Sequence, residues 1–206
     1  MENFINKYNV SRETYLNFER YVALLKEWQT KFNLVSKNSL EFVWQRHIED
    51  SMQLFNYIPL NSEKLYDFGS GAGFPAMVLA IVAKEKIPHL KFKLIESITK
   101  KTLYLNAVKT DLILNNVEII NDRVEKIKIE PADVITARAM TQLENLLEYS
   151  LPFCKKNTKL IFPKGKTYND ELEDAKKYWN FEVDVYKNQI CEDGVILVIK
   201  NLRRKK

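Results

Sequence analysis

Apolar positions recur with two different periods along this chain. Between residues 11 and 60, Tyr15, Phe18, Val22, Leu25, Trp28 and Phe32 step by three or four, the period of one helix face. A second helix is predicted over about Leu40 to Tyr57, ending before Pro59. From Lys64 onward the pattern alternates. Short apolar, β-branched runs at Leu65–Phe68, Phe92–Ile95, Val117–Ile120, Val134–Thr136 and Leu160–Phe162 read as strands. Helical stretches are predicted over Pro75–Lys86, Lys100–Leu114, Gln142–Cys154 and Tyr168–Trp179. Strands alternating with helices predict parallel βαβ units and a doubly wound α/β sheet, here as five strand–helix units. The end of the chain breaks the alternation. Phe181–Tyr186 and Val195–Ile199 are separated only by a polar turn at Glu192-Asp193-Gly194, which predicts an antiparallel hairpin closing one sheet edge. The expected architecture is therefore a mostly parallel, seven-stranded sheet over residues 61–206, preceded by a helical extension over residues 1–60.

Composition narrows the class. At 206 residues with 46% apolar content, the chain can bury one sizeable core. No apolar run approaches the roughly 20 residues that cross a bilayer, and the first ten residues hold no signal-peptide core. Cys154 and Cys191 form no CxxC or metal-ligand spacing, so a reducing, cytoplasmic setting is expected, with no disulfide framework. His47 and His89 are the only histidines and belong to no cluster, so no metal site is expected. The net charge of +5 is carried wholly by Lys200, Arg203, Arg204, Lys205 and Lys206. A basic terminus is ordinarily a solvated one. It also favours a polyanion without specificity.

The chemistry concentrates at Leu65-Tyr-Asp-Phe-Gly-Ser-Gly-Ala-Gly-Phe-Pro75, where a buried strand runs into Gly69, Gly71 and Gly73 and a helix opens at Pro75. In open α/β sheets a ligand sits beyond the carboxyl ends of the strands, and glycines there let backbone approach it closely. The dinucleotide fingerprint wants glycine or alanine three places after Gly71, but that residue is Phe74, which disfavours a nicotinamide oxidoreductase. GxGxG fits a nucleoside with an amino-acid tail. Asp67, just before the loop, either orients it or meets the ligand's ammonium group. Glu96, at the tip of the second strand, is placed to accept ribose hydroxyls. Asp122-Arg-Val-Glu125 follows the third strand, either as an adenine contact or as a solvated loop.

At these residues the chain resembles the bacterial 16S rRNA guanine-N7 methyltransferases, the glucose-inhibited division protein B family. The matching stretches are Phe32-Asn-Leu34, Trp44-Gln-Arg-His-Ile-Glu-Asp-Ser51, Asp67–Pro75, Leu94-Ile-Glu-Ser97, Arg123-Val-Glu125, Ala137-Arg-Ala139 and Phe162-Pro-Lys-Gly165. The resemblance implies a class I methyltransferase fold and S-adenosylmethionine as cofactor. It also implies methyl transfer to N7 of guanine 527 in 16S rRNA of the small ribosomal subunit or its assembly intermediate. It implies cofactor contacts at Gly69, Phe74, Val124, Glu125 and Arg138, to which the fold argument adds Asp67, Gly71, Gly73 and Glu96. Ala76 departs from the family's usual glycine, inside the helix that follows the loop.

Guanine N7 carries a lone pair and no proton, so its attack on a sulfonium methyl needs alignment at about 3–3.5 Å and no general base. No catalytic residue is therefore expected, and the chain has no Asp/Asn-Pro-Pro-aromatic element of the exocyclic-amine methyltransferases: the fourth strand ends Thr136-Ala-Arg-Ala139. Cys154, read as ending a helix, and Cys191, in the hairpin turn, are both read as inert. Arg138 suits a cofactor carboxylate, an RNA phosphate or a structural ion pair. Lys164 suits the RNA backbone or a solvated loop. Arg46 and Asp50, one helical turn apart, are expected to pair, with Trp44, His47 and Ser51 on one face. His47 reads as a packing histidine, while the resemblance brings it, with Arg46, toward RNA. Two other functions share these residues: a non-catalytic RNA-binding assembly factor, and a methyltransferase for a non-RNA substrate.

Overall fold

A computed structural model describes residues 1–205; Lys206, the last residue of the basic tail, lies outside the described residues. Helices α1 (Glu2–Tyr8), α2 (Arg12–Gln29), α3 (Lys37–Glu41) and α4 (Asp50–Met52) precede the sheet. Ser11 starts α2 by accepting the Thr14 N–H on its hydroxyl at 3.1 Å, and Phe18, Tyr21, Val22 and Leu25 form the buried face that the periodicity predicts. The helix predicted over 40–57 is broken instead. A π-helical turn spans Trp44–Glu49, and a 3₁₀ turn over Gln53–Tyr57 follows α4. Helix α1 lies outside the predicted elements. Its Phe4 ring packs against Tyr8, Tyr15, Phe18 and Trp44.

The sheet holds β1 (Lys64–Phe68), β2 (Lys91–Ile95), β3 (Val117–Ile120), β4 (Ala132–Ala137), β5 (Cys154–Lys164), β6 (Trp179–Lys187) and β7 (Val195–Arg204). Their order is β3-β2-β1-β4-β5-β7-β6, with parallel pairing from β3 through β5 and antiparallel pairing of β7 with both β5 and β6. Strand β1 is central and buried along Leu65–Phe68, because helices cover both faces of a parallel sheet. Helices α5 (Ala76–Lys86), α6 (Thr99–Asp111), α7 (Leu143–Ser150) and α8 (Tyr168–Tyr178) connect the strands. Only four of the five expected crossovers are α-helical: β3 reaches β4 through a 3₁₀ turn at Val124–Lys126. Cys154 does not end a helix; it opens β5, since α7 stops at Ser150 and Pro152 sits in the turn that follows.

Two cores flank the sheet. One joins Phe18, Tyr21 and Leu25 of α2 to α5 and to Tyr104, Leu105 and Val108 of α6. The other joins Phe68, Ile135, Phe162 and Leu197 to α7 and α8. No helix among the described residues is long and apolar enough to cross a membrane.

Candidate functional site

The loop after β1 is built on left-handed backbone, with φ of 63° at Gly69, 56° at Gly71 and 91° at Gly73. Gly71 and Gly73 serve different ends. Beside Gly71 the space is open: a Cβ there would meet only the Gly69 carbonyl oxygen, at 3.7 Å. A Cβ on Gly73 would stand 2.6 Å from Met77 Cγ and 2.7 Å from the Tyr21 hydroxyl, so that glycine lets α5 and α2 close on the loop. Tyr21 completes the joint by donating its hydroxyl to the Ala72 carbonyl at 2.6 Å.

Glu96, buried at the end of β2, holds the loop. Its carboxylate accepts the Gly71 N–H and the Ile98 N–H, each at 2.8 Å. Beside it lies a crevice of about 200 Å³ lined by Gly69, Ser97, Asp122, Val124, Glu125 and Met140. Asp67 is enclosed under the loop; one oxygen accepts the Thr136 hydroxyl at 2.6 Å and the other has no partner among the described residues. Burial pushes its carboxyl up to about 6.

A second cavity, about 350 Å³, opens on the other side of residues 138–141, between the carboxyl ends of β4 and β5 and the β6–β7 turn. Arg138 lines this cavity and not the crevice. Its guanidinium donates to Asp50 Oδ2 at 3.0 Å and to the Arg46 carbonyl at 3.3 Å, and lies 2.7 Å from His47 Nδ1. The expected Arg46–Asp50 pair is thus replaced: Asp50 binds Arg138, Gln53 and Asn188. The physical reason is the π turn at 44–49, which places more than four residues in a turn and spoils the i, i+4 register.

His47 stacks on Phe74 with ring centroids 4.6 Å apart, and the Arg138 guanidinium lies 5.3 Å from the same ring. Burial and the neighbouring Arg138 and Arg46 charges lower the imidazole to about 3, so it is neutral and accepts from Arg138 on Nδ1. Phe74 is buried between the helical extension and the loop and is not among the crevice lining. Lys164 is engaged too. Its ammonium donates to Glu171 Oε2 at 2.7 Å and to the Thr141 carbonyl at 3.1 Å, with the side chain 9% exposed.

The candidate residues therefore divide. Gly69, Val124 and Glu125 line the crevice, with Glu96 bound to the Gly71 N–H beside it and Asp67 enclosed under the loop. Arg138 and Lys164 gather at the cavity, with His47 and the Arg46 carbonyl behind Arg138. Sequence patterns do not single out Asp50 as the Arg138 partner, nor Asn188, Glu171 or Met140. The first three bind across separations that local spacing does not encode. Met140 carries one weak signal, a bulky apolar residue just past the ligand-facing end of β4.

Comparison with known proteins gives a consistent picture. Residues 14–197 match the family model described as rRNA small subunit methyltransferase G. A ribosomal RNA small subunit methyltransferase G from Orientia tsutsugamushi is 40% identical over 198 residues, covering 96% of each chain. One of the same name from Ruegeria pomeroyi is 37% identical over 199 residues, covering 97% of each. Among solved structures, an O-methyltransferase from Bacillus cereus in complex with SAH aligns with a TM-score of 0.57 at 15% identity, covering 89% of this chain and 99% of that one. That last likeness speaks for the fold alone.

Proposed function

The chain belongs to the rRNA small subunit methyltransferase G family, and from that premise we propose that it transfers the methyl group of S-adenosylmethionine to N7 of guanine 527 in 16S rRNA. One observation carries the reading: a left-handed glycine loop, open at Gly71 and lining a crevice through Gly69, anchored by an acid on the neighbouring strand, within the family's matched span. The residues present fit the cofactor. The open space at Gly71 is one a Cβ would fill, and the orphaned Asp67 oxygen is a buried acceptor for an ammonium group.

Glu96 holds the loop and keeps a second lone pair on each oxygen for ribose hydroxyls. Val124 and Glu125 bound the far wall, where the adenine belongs. Held by these residues, S-adenosylmethionine would supply an electrophilic methyl to the N7 lone pair, the bonding pair remaining with sulfur. No side chain has to remove a proton, so the chain's part is alignment and exclusion of water. The helical extension, residues 1–60, presses Phe74 and Tyr21 onto the loop and presents Arg46, whose side chain has no ion-pair partner among the described residues, to the RNA backbone. The setting is the cytoplasm, on the small subunit or an assembly intermediate.

The test is direct. Purified protein and labelled cofactor are incubated with small subunits lacking the modification, and 7-methylguanosine is mapped by chemical cleavage. A single new site at guanine 527 is expected. No incorporation, or incorporation only elsewhere, overturns the reading.

A further inference from the structure

We propose that Phe42 and Arg46 clamp an unpaired nucleotide flanking the target in the RNA, Phe42 stacking on its base and Arg46 holding its phosphate. The inference rests on the ribosomal RNA methyltransferase reading above and adds how the helical extension grips the strand.

Phe42 caps the carboxyl end of α3 and is 56% exposed, whereas the other ten phenylalanines are buried or half-buried. It joins neither core. A lone exposed apolar side chain is ordinary on a protein surface, so position has to set this one apart. Leu60 and Ile113 are more exposed, but they precede β1 and β3 and so lie by the amino ends of the strands, away from the ligand sites. Phe42 lies at the other end. Its carbonyl accepts the Arg46 N–H at 2.8 Å, and the Arg46 carbonyl accepts the Arg138 guanidinium at 3.3 Å, at the carboxyl end of β4. The exposed ring thus opens the backbone turn that ends on Arg138.

The π turn supplies the second half of the clamp. In an α-helix Asp50 would stand one turn from Arg46 and pair with it; here Asp50 pairs with Arg138 and leaves the Arg46 side chain exposed, with no ion-pair partner among the described residues. Such turns are rare and recur at functional sites. Between Lys37 and Arg46, both exposed, Glu41 is the only acid, so two cations and one anion give this surface a net charge of +1. An apolar ring one turn from a free guanidinium suits a single-stranded nucleotide. Stacking on an aromatic face accepts any base, and a guanidinium pairs with the phosphate in two-pronged geometry. A protein partner could also cover Phe42, but it would have to bring an acid to Arg46. RNA brings one with every nucleotide.

The experiment couples a side chain to a base. Small subunits are reconstituted around ligated 16S rRNA in which each nucleotide flanking guanine 527 is in turn made abasic. KM and kcat are measured for the unaltered protein, Phe42→Ala, Phe42→Leu and Phe42→Trp, with cofactor affinity followed separately. Phe42→Ala should raise KM on intact subunits by about five- to a hundredfold, the worth of one stacked base, and leave cofactor affinity within about twofold. Phe42→Trp should keep the low KM, and Phe42→Leu, apolar but without a π face, should lose it. One abasic position should raise the KM of the unaltered protein by a similar factor and have no further effect in Phe42→Ala. Arg46→Ala should reduce the slope of log affinity against log salt by about one, and Phe42→Ala should leave it unchanged. An unchanged KM in Phe42→Ala, or an unchanged salt slope in Arg46→Ala, overturns the proposal. So does a raised KM that no abasic position shares, or that Phe42→Leu restores, since either would mark contact with a protein. Failure of the unaltered protein to methylate intact subunits sinks the underlying reading instead, a separate result.

Discussion

The crevice and the cavity stand on either side of residues 138–141 and are built on opposite principles. The crevice is made from backbone: three left-handed glycines, with Glu96 binding two N–H groups to fix the loop. The cavity is made from side chains, two ion pairs drawn from separate stretches of chain and braced by Asn188 and Gln53. A backbone site has few ways to rearrange and tolerates almost no added atoms. A side-chain site can be altered one group at a time.

Gly71→Val tests this contrast most severely. The branched side chain would occupy the open space and hold a left-handed φ at a cost of about 1–3 kcal/mol. Cofactor affinity should fall at least about a hundredfold by calorimetry, because backbone strain and the filled space act together. Unchanged affinity would show the crevice is not the cofactor site.

Next in size is Asp50→Ala, which strikes the cavity. It strands the Arg138 guanidinium and removes the acceptor of Gln53 and Asn188, and should cost about 3 kcal/mol in denaturant unfolding. Cofactor affinity should change far less than in Gly71→Val. Equal losses in the two variants would mean that the halves form one network.

These two residues also show what was legible before the fold was known. The glycine loop, Asp67 and Glu96 were readable because each sits at a strand tip, and strands of this type declare themselves by short apolar runs. The sheet, its terminal hairpin and the long helix of the extension followed from the same kind of signal. The cavity was not readable. Asp50 meets Arg138 across 88 residues and Asn188 across 138, and local spacing pointed to Arg46 instead because a π turn is invisible to a 3.6-residue rule. The start of β5 was hidden for another reason: Cys154-Lys-Lys-Asn-Thr has polar, largely exposed residues where a buried strand would be apolar.

Titration separates the two regions more finely. Asp67, in the crevice half, has a folded pKa raised to about 6 from 3.8, so its contribution to stability is present below pH 3.8 and lost as pH rises through 6. His47, on the cavity side, has a folded pKa lowered to about 3 from 6.5, so its contribution is present above pH 6.5 and lost as pH falls toward 3. Between about pH 4 and 6 the two slopes oppose each other. Asp67→Asn should therefore steepen the loss of stability on acidification, and His47→Gln should flatten it, in urea melts across that range. Parallel profiles for the two variants would contradict the assigned environments. Because an ammonium ion favours ionised Asp67, cofactor affinity should also rise as pH climbs through about 6 in the unaltered protein and not in Asp67→Asn.

Least is expected of the residues that dominate the net charge. Pairing of Lys164 with Val195 and of Leu160 with Ile199 runs β7 away from the cavity, so Lys200, Arg203 and Arg204, still paired with β6, lie at the end of the sheet opposite the ligand sites. Two of them are also occupied there. Lys200 pairs with Asp184, and Arg204 pairs with Glu148 beside the Trp179 ring. Exposed pairs of this kind contribute about 0–1 kcal/mol. Arg203→Ala with Arg204→Ala should thus leave kcat/KM on ribosomal RNA within about twofold. The double variant should also leave the slope of log affinity against log salt unchanged, since withdrawing one cation from a phosphate reduces that slope by about one. A slope smaller by about two would mean that RNA wraps from the cavity around to the far edge, and the polyanion-binding surface would have to be redrawn to include both ends of the sheet.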